Sequence, residues 1–220
     1  MARQVKVITA AEAAALIKNG DTVTTSGFVA SAIPEALDRA VEERFLATGE
    51  PRDITYVYCG SQGNKDGRGA EHFAHEGLLK RYIAGHWATV PALQKMALEN
   101  KMEAYNVSQG ALCHLFRDIA AHRPGCFTKV GLGTFIDPRN GGGKVNDVTK
   151  EDIIELVNIK GQDYLFYPAF PINVALIRGT YADESGNISF EKEVSPLEGT
   201  SVCQAVKNSG GIVVVQVEKL

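Results

Sequence analysis

Apolar positions along this chain switch between two periods, and the switching predicts its architecture. Behind Pro34, which opens a helix, Leu37, Val41 and Phe45 fall at i, i+4 and i+8. Leu112, Leu115, Phe116 and Ile119 mark the apolar face of another helix, running from Gly110 to about residue 121. Thr9 with Glu12 fits a capping box and Gly20 a stop, which predicts a first helix over 10–19. "AEHFAHEGLL" (70–79) and "VPALQKMALEN" (90–100) also read as helices. Between these lie short β-branched and aromatic stretches: "DTVTTSGF" (21–28), "DITYVYC" (53–59), "RYIAGH" (81–86) and "EAYNVS" (103–108). Strands alternating with helices predict an α/β fold, a mostly parallel sheet flanked by helices.

The second part is richer in strands and turns. "TKVGLGTFIDPRNGGGK" (128–144) is a long Gly/Pro segment, and "DYLFYPAF" (163–170) and "NVALIRGTYAD" (173–183) are strand candidates. "ADESGNIS" is a turn leading to a short strand, and a helix follows near "TSVCQAVKNSGG". The final run, "GIVVVQVEKL", reads as a parallel strand buried on both faces, and the chain stops three residues after Val217. The expectation is one α/β domain over residues 1–220 that forms half of something larger.

The charge of −3, from 23 basic and 26 acidic residues without long runs of either, favours neither nucleic acid nor an anionic membrane. Glu12 and Lys18 interrupt the N-terminus before it reaches signal-peptide or membrane-span length, so a cytoplasmic protein is expected. Cys59, Cys113, Cys126 and Cys203 are scattered, with no C-x-x-C pair, and read mostly as buried thiols. His72 and His75 sit three apart on a predicted helix, but no third ligand lies at matching spacing. They read as exposed helix histidines, and no metal is assigned.

Neither a G-x-G-x-x-G loop, a P-loop nor a G-x-S-x-G elbow is present. Cys113 and His114 are neighbours on a helix and point about 100° apart, which argues against a thiol nucleophile. The turn through Ser26, Gly27 and Ser31 is either an anion cradle at a helix start or a tight βα connection. Glu35 reads as an acid at a helix N-terminus. At Gln109-Gly110 a strand meets a helix, where ligands of α/β sheets bind. Gln109 either donates its amide to a carbonyl oxygen, stabilising charge as that oxygen becomes tetrahedral, or binds its own backbone.

Long collinear blocks, among them "KVITAAEAAALIKNGDTVTTSGFVASAIPEALDRAVEERF", "YNVSQGALCHLFRDIAAHRPG", "TKVGLGTFIDPRNGGGKVN" and "DYLFYPAFPINVALIRGTYADESGNIS", resemble the N-terminal half of the family I CoA-transferases. The likeness is greatest to the acetate/propionate and short-chain acyl-CoA:acetate members. The resemblance implies a fold shared with ribose-5-phosphate and glucosamine-6-phosphate isomerases. It implies ping-pong transfer through a glutamyl-CoA thioester, with coenzyme A as a substrate and no permanently bound cofactor. By the same resemblance Gln109 is the oxyanion donor, and the nucleophilic glutamate belongs to a C-terminal half or companion chain absent from these 220 residues, leaving this part inactive alone.

Ser26, Gly27, Phe28 and Gly110 would then contact substrate, although many relatives carry a second glycine where Ser26 stands. Gly131, Gly133, Thr134 and Phe135 would surround a short acyl group. The implied partners are a short-chain acyl-CoA, a carboxylic acid such as acetate and further copies of the chain, in short-chain fatty acid or ketone body metabolism. Two alternatives stay open: a sugar-phosphate isomerase or sensor on the same fold, and a non-catalytic assembly subunit.

Overall fold

The computed structural model describes residues 5–220. The capping box forms: Thr9 Oγ1 accepts from the Glu12 N–H at 3.2 Å, and the Glu12 carboxylate accepts from the Thr9 N–H at 2.8 Å. Helix α1 nevertheless spans only Ala10–Ala14, because the Asp21 carboxylate takes the Lys18 N–H at 2.8 Å and turns the chain toward β1 (Thr22–Thr25). Then follow α2 (Glu35–Thr48), β2 (Ile54–Tyr58), β3 (Leu79–Ala84), α3 (Pro91–Leu98), β4 (Glu103–Asn106) and α4 (Gln109–Ala120). The later elements are β5 (Gly125–Thr128), β6 (Glu155–Ile159), β7 (Gln162–Pro168), β8 (Val174–Arg178), α5 (Gly199–Asn208) and β9 (Ile212–Gln216).

Six strands make one all-parallel sheet in the order β4-β3-β2-β1-β8-β9. Its centre is aromatic: Tyr56 stacks on Tyr82 with ring centroids 5.2 Å apart, and Trp87 meets the Tyr82 ring edge-on at 4.7 Å. The predicted face of α4 is the one that packs. Leu112, Leu115, Phe116 and Ile119 are all buried, each worth about 1.5–3 kcal/mol relative to exposure.

Further expectations fail. Residues 70–79 are not an α-helix: a 3₁₀ turn, Gly69–Phe73, gives way to β3. Glu71 is buried there and its carboxylate accepts from the N–H groups of Gly67 at 3.0 Å and Ala92 at 2.7 Å, tying the segment to its surroundings. The final strand is not buried on both faces: of its five residues Val214 alone is buried and Ile212 is exposed, and β9 lies at the edge of the sheet, pairing with β8. A second, antiparallel sheet in the order β5-β7-β6 was not foreseen. Its β6–β7 hairpin turns on Lys160 (φ 52°) and Gly161 (φ 80°), the two positive values a two-residue primed turn requires. The short strand expected after "ADESGNIS" is reduced to one bridge between Ala182 and Ile188.

Candidate active site

All six strands of the main sheet end at one edge, where β4, β3, β2 and β1 deliver the loops that begin at Val107, Gly85, Cys59 and Ser26. At the β4 end, Ser108 caps α4: its Oγ accepts from the Ala111 N–H at 3.3 Å. Gln109 is the first helical residue. It is exposed, and its side-chain amide has no hydrogen-bond partner among the described residues. The first N–H groups of a helix lack internal acceptors and form its positive end, so the Gln109 amide projects from a surface suited to developing negative charge.

What fixes Gln109 is a different glycine from the one the sequence pointed to. A Cβ on Gly110 would meet nothing within 4 Å. A Cβ on Gly85 would lie 2.4 Å from the Cys59 carbonyl oxygen and 2.6 Å from both Cα and Cβ of Gln109. The absent side chain of Gly85 thus lets the β2 and β3 ends seat the start of α4.

The tripeptide Ser-Gln-Gly occurs twice, at 61–63 and 108–110. Gln62 is buried, and its carbonyl oxygen accepts from the Tyr56 hydroxyl, which also bonds Thr25 Oγ1 at 2.6 Å. That glutamine faces protein; Gln109 faces outward.

The turn after β1 is braced by its own residues. Ser26 Oγ donates to the Ala32 carbonyl at 2.9 Å and accepts the Arg178 N–H at 2.8 Å. Gly27 has φ +119°, and a Cβ there would come within 2.8 Å of the Ser31 oxygen. Val29, a β-branched residue, is held at φ 55° by bonds of 2.8 Å from its N–H to Ser61 and from the Gly63 N–H to its carbonyl. Phe28 is exposed, with its ring against Gly60. A continuous row therefore runs along the edge from Phe28 through Gly60, Cys59 and Gly85 to Gln109.

The glycine-rich segment docks at the other end of this row. The Asn106 N–H donates to the Gly143 carbonyl at 2.8 Å, and the Gly143 N–H donates to the Phe135 carbonyl at 3.0 Å. Asp137 organises the loop by accepting from the Gly133 N–H at 2.8 Å, the Arg139 N–H at 3.0 Å and the Arg139 guanidinium. The Arg139 side chain, with these N–H groups, holds the Asp137 carboxyl below the usual carboxylate range. Thr134 Oγ1 is turned onto the Gly131 carbonyl at 2.7 Å, whereas Phe135 is exposed. A Cβ on Gly131 would meet Leu165 at 3.0 Å, and one on Gly133 would meet nothing within 4 Å. Loop 131–143 thus reaches the β4 end three residues before Gln109, with Phe135 at its surface.

The histidines are not exposed helix residues. His72 is buried, with Nδ1 2.6 Å from Glu42 and Nε2 2.9 Å from Glu35, and His75 Nε2 lies 2.6 Å from the second Glu42 oxygen. Burial pushes the Glu42 carboxyl up, but the bonds to His75 and His72 bring it below its ordinary value. Glu35 does open α2, and its other oxygen accepts the Gly69 N–H at 3.0 Å. Among the cysteines, Cys59 and Cys126 are buried while Cys113 and Cys203 are half-buried. Sequence reasoning missed that the Cys59 and Cys113 sulfurs and the Glu198 carboxylate all lie within 4.8 Å of one another.

Residues 7–220 match the family described as coenzyme A transferase. This chain belongs to that family. It is 46% identical over 213 residues to the caffeate CoA-transferase of Acetobacterium woodii, covering 97% of this chain and 41% of that protein. It is 40% identical over 219 residues to the acetate CoA-transferase YdiF of Escherichia coli K12, covering 99% and 41%. The crystal structure of the Escherichia coli O157:H7 acyl-CoA transferase YdiF, in a thioester complex with CoA, superimposes with a TM-score of 0.95 at 39% identity, covering 98% of this chain and 42% of that one. The chain therefore spans less than half the length of these relatives. Among its described residues no helix is long and apolar enough to cross a membrane.

Proposed function

We propose that this chain forms one half of a site that transfers coenzyme A between a short-chain acyl-CoA and a carboxylic acid such as acetate. Gln109 polarises the thioester carbonyl and then stabilises the negative oxygen of each tetrahedral intermediate. It cannot attack that carbonyl, because a neutral amide is no nucleophile. The attacking glutamate comes from a C-terminal half or a companion chain: its carboxylate displaces CoA thiolate from the acyl-CoA to form an acyl-glutamyl anhydride. The thiolate then attacks the glutamyl carbonyl to give a glutamyl-CoA thioester and release the acyl group as its carboxylate, and an incoming acid reverses these steps. Phe28 and Phe135 wall the acyl region, while Ser26, Gly27, Gly131, Gly133 and Thr134 shape the backbone around it and Gly110 leaves room beside the amide. The working protein is a cytoplasmic homo-oligomer with no permanently bound cofactor.

One observation carries this reading: Gln109 is exposed at the positive end of α4, without a partner among the described residues, at the carboxyl edge of the sheet where ligands of such folds bind. The sugar-phosphate alternative needs an acid near the turn after β1, and both oxygens of Glu35 are already engaged by His72 and Gly69. The test is transfer from acetyl-CoA to propionate by the complete protein carrying this chain. Gln109→Ala is expected to lower kcat about 100- to 1,000-fold, the effect of deleting one oxyanion donor. An unchanged rate would show that the donor lies elsewhere.

A further inference from the structure

The cluster of Cys59, Cys113 and Glu198 has no part in the transfer chemistry above, yet its geometry is that of a ligand set. The three side chains come from three separate elements: the residue after β2, the second turn of α4, and the N-cap of α5. Their donor atoms lie within 4.8 Å of one another. Two sulfurs on one tetrahedral zinc ion sit about 3.8 Å apart, given Zn–S bonds of about 2.3 Å, so only a small closure is needed. We infer that Cys59 Sγ, Cys113 Sγ and the Glu198 carboxylate form a binding site for one borderline-soft divalent cation of the zinc class, with water in the fourth position.

The surroundings suit this chemistry. Two thiols and a carboxyl group converge, and nearby Arg117 spends a guanidinium N–H on the Cys113 carbonyl at 2.9 Å. A divalent ion would offset the charge that two thiolates and a carboxylate carry together. Behind Cys59, Tyr58 is buried at the end of β2. Glu198 is set by its carbonyl accepting from Ser201 Oγ at 2.9 Å, while the Arg178–Glu193 pair at 2.8 Å anchors the segment before it. Cys113 and Glu198 are half-buried, which gives the ion a way in.

Position gives the site a consequence. Cys113 stands four residues after Gln109, one helical turn along α4, and the Cys59 carbonyl shares the Gly85 contact with the Gln109 backbone. A bound ion would pin β2, α4 and α5 together directly beneath the exposed amide. The inference does not depend on the proposed transfer reaction.

The test titrates the full reduced chain anaerobically with Co²⁺ as a spectroscopic probe, followed by Zn²⁺ against a chromophoric chelator. One equivalent of Co²⁺ should give a thiolate-to-metal charge-transfer band that one equivalent of Zn²⁺ abolishes. Cys113→Ser should remove the band, and Glu198→Gln should keep it while weakening Zn²⁺ binding at least tenfold. The double variant Cys126→Ser/Cys203→Ser should match wild type. Circular dichroism checks folding, and because Cys113 and Glu198 are half-buried their variants carry the test if Cys59→Ser fails to fold. The proposal is overturned if folded wild type gives no charge-transfer band, if the band survives Cys113→Ser, or if it is lost in the Cys126/Cys203 variant.

Discussion

Two glycines at the Gln109 hinge should respond to the same substitution with opposite signs. Replacing Gly85 by alanine puts a methyl carbon 2.4 Å from the Cys59 oxygen and 2.6 Å from Gln109 Cα and Cβ. None of these atoms can swing aside by a side-chain rotation, so the β3 end and the start of α4 must part by about 1 Å, an overpacking that costs about 1–3 kcal/mol. The loss of unfolded-state freedom returns only about 0.4–1 kcal/mol. For a chain of this length each kcal/mol moves Tm by about 2–4 °C, so the mid-range net loss of about 1.3 kcal/mol should lower the melting temperature of Gly85→Ala by roughly 3–5 °C. Gly110→Ala meets open space at an exposed helical position and should melt about 1–4 °C higher, since alanine is the better helix former. Calorimetric and far-UV thermal scans of the two purified variants beside wild type measure both shifts. If Gly85→Ala melts within about 1 °C of wild type, the contact does not constrain α4, and the account of how Gln109 is positioned fails with it.

Two further outcomes follow from buried or organised carboxylates. Asp38 on α2 is fully buried with no partner for either carboxylate oxygen among the described residues, and burial, with Glu35 nearby, raises its pKa well above the ordinary value. A carboxyl with a raised folded pKa contributes stability that is complete below the unfolded pKa of about 3.9 and is lost as pH climbs toward the folded value, by up to about 1.4 kcal/mol per pH unit. Urea midpoints measured from pH 4 to 8 should therefore fall less steeply in Asp38→Asn than in wild type, and parallel slopes would contradict a neutral Asp38. Asp137 has the opposite sign: its folded pKa lies below the unfolded value, so its contribution is present above that unfolded value and is lost as pH falls. Asp137→Asn should speed hydrogen exchange at the Gly133 and Arg139 amides while leaving the β2 amides unchanged, and equal protection at both loop positions would show that the loop stands without it.

Where a segment buries one face, the sequence period reported it. The α4 stripe, the strands β1 to β4 and the Thr9–Glu12 cap all appear as read, because each depends on residues within a few positions. The failures share a cause in tertiary context. "AEHFAHEGLL" carries helix formers, but Glu71 and His72 are consumed by partners on α2 and near α3, which halts the helix after one 3₁₀ turn. "ELVNI" carries too weak an alternation to announce β6, and a Lys-Gly turn is not among the usual hairpin pairs. Val213 to Val215 look central in composition, yet strand order puts β9 at the edge.

The site divides along the same line. Local sequence offered two equal Ser-Gln-Gly tripeptides. Only strand order and burial separate them, sending Gln62 inward to Tyr56 and Gln109 outward from α4. The thiols show the limit more sharply. The absence of a C-x-x-C pair argues against a metal only when ligands must be neighbours in sequence. In an α/β sheet, loops far apart along the chain end at one edge, and Cys59, Cys113 and Glu198 meet there. For such folds, a search for ligand sets should therefore start from strand ends and the first turns of the helices that follow them. By that criterion Cys113, one turn past Gln109, is conspicuous, while the evenly spaced pair His72 and His75 is only a brace for Glu42.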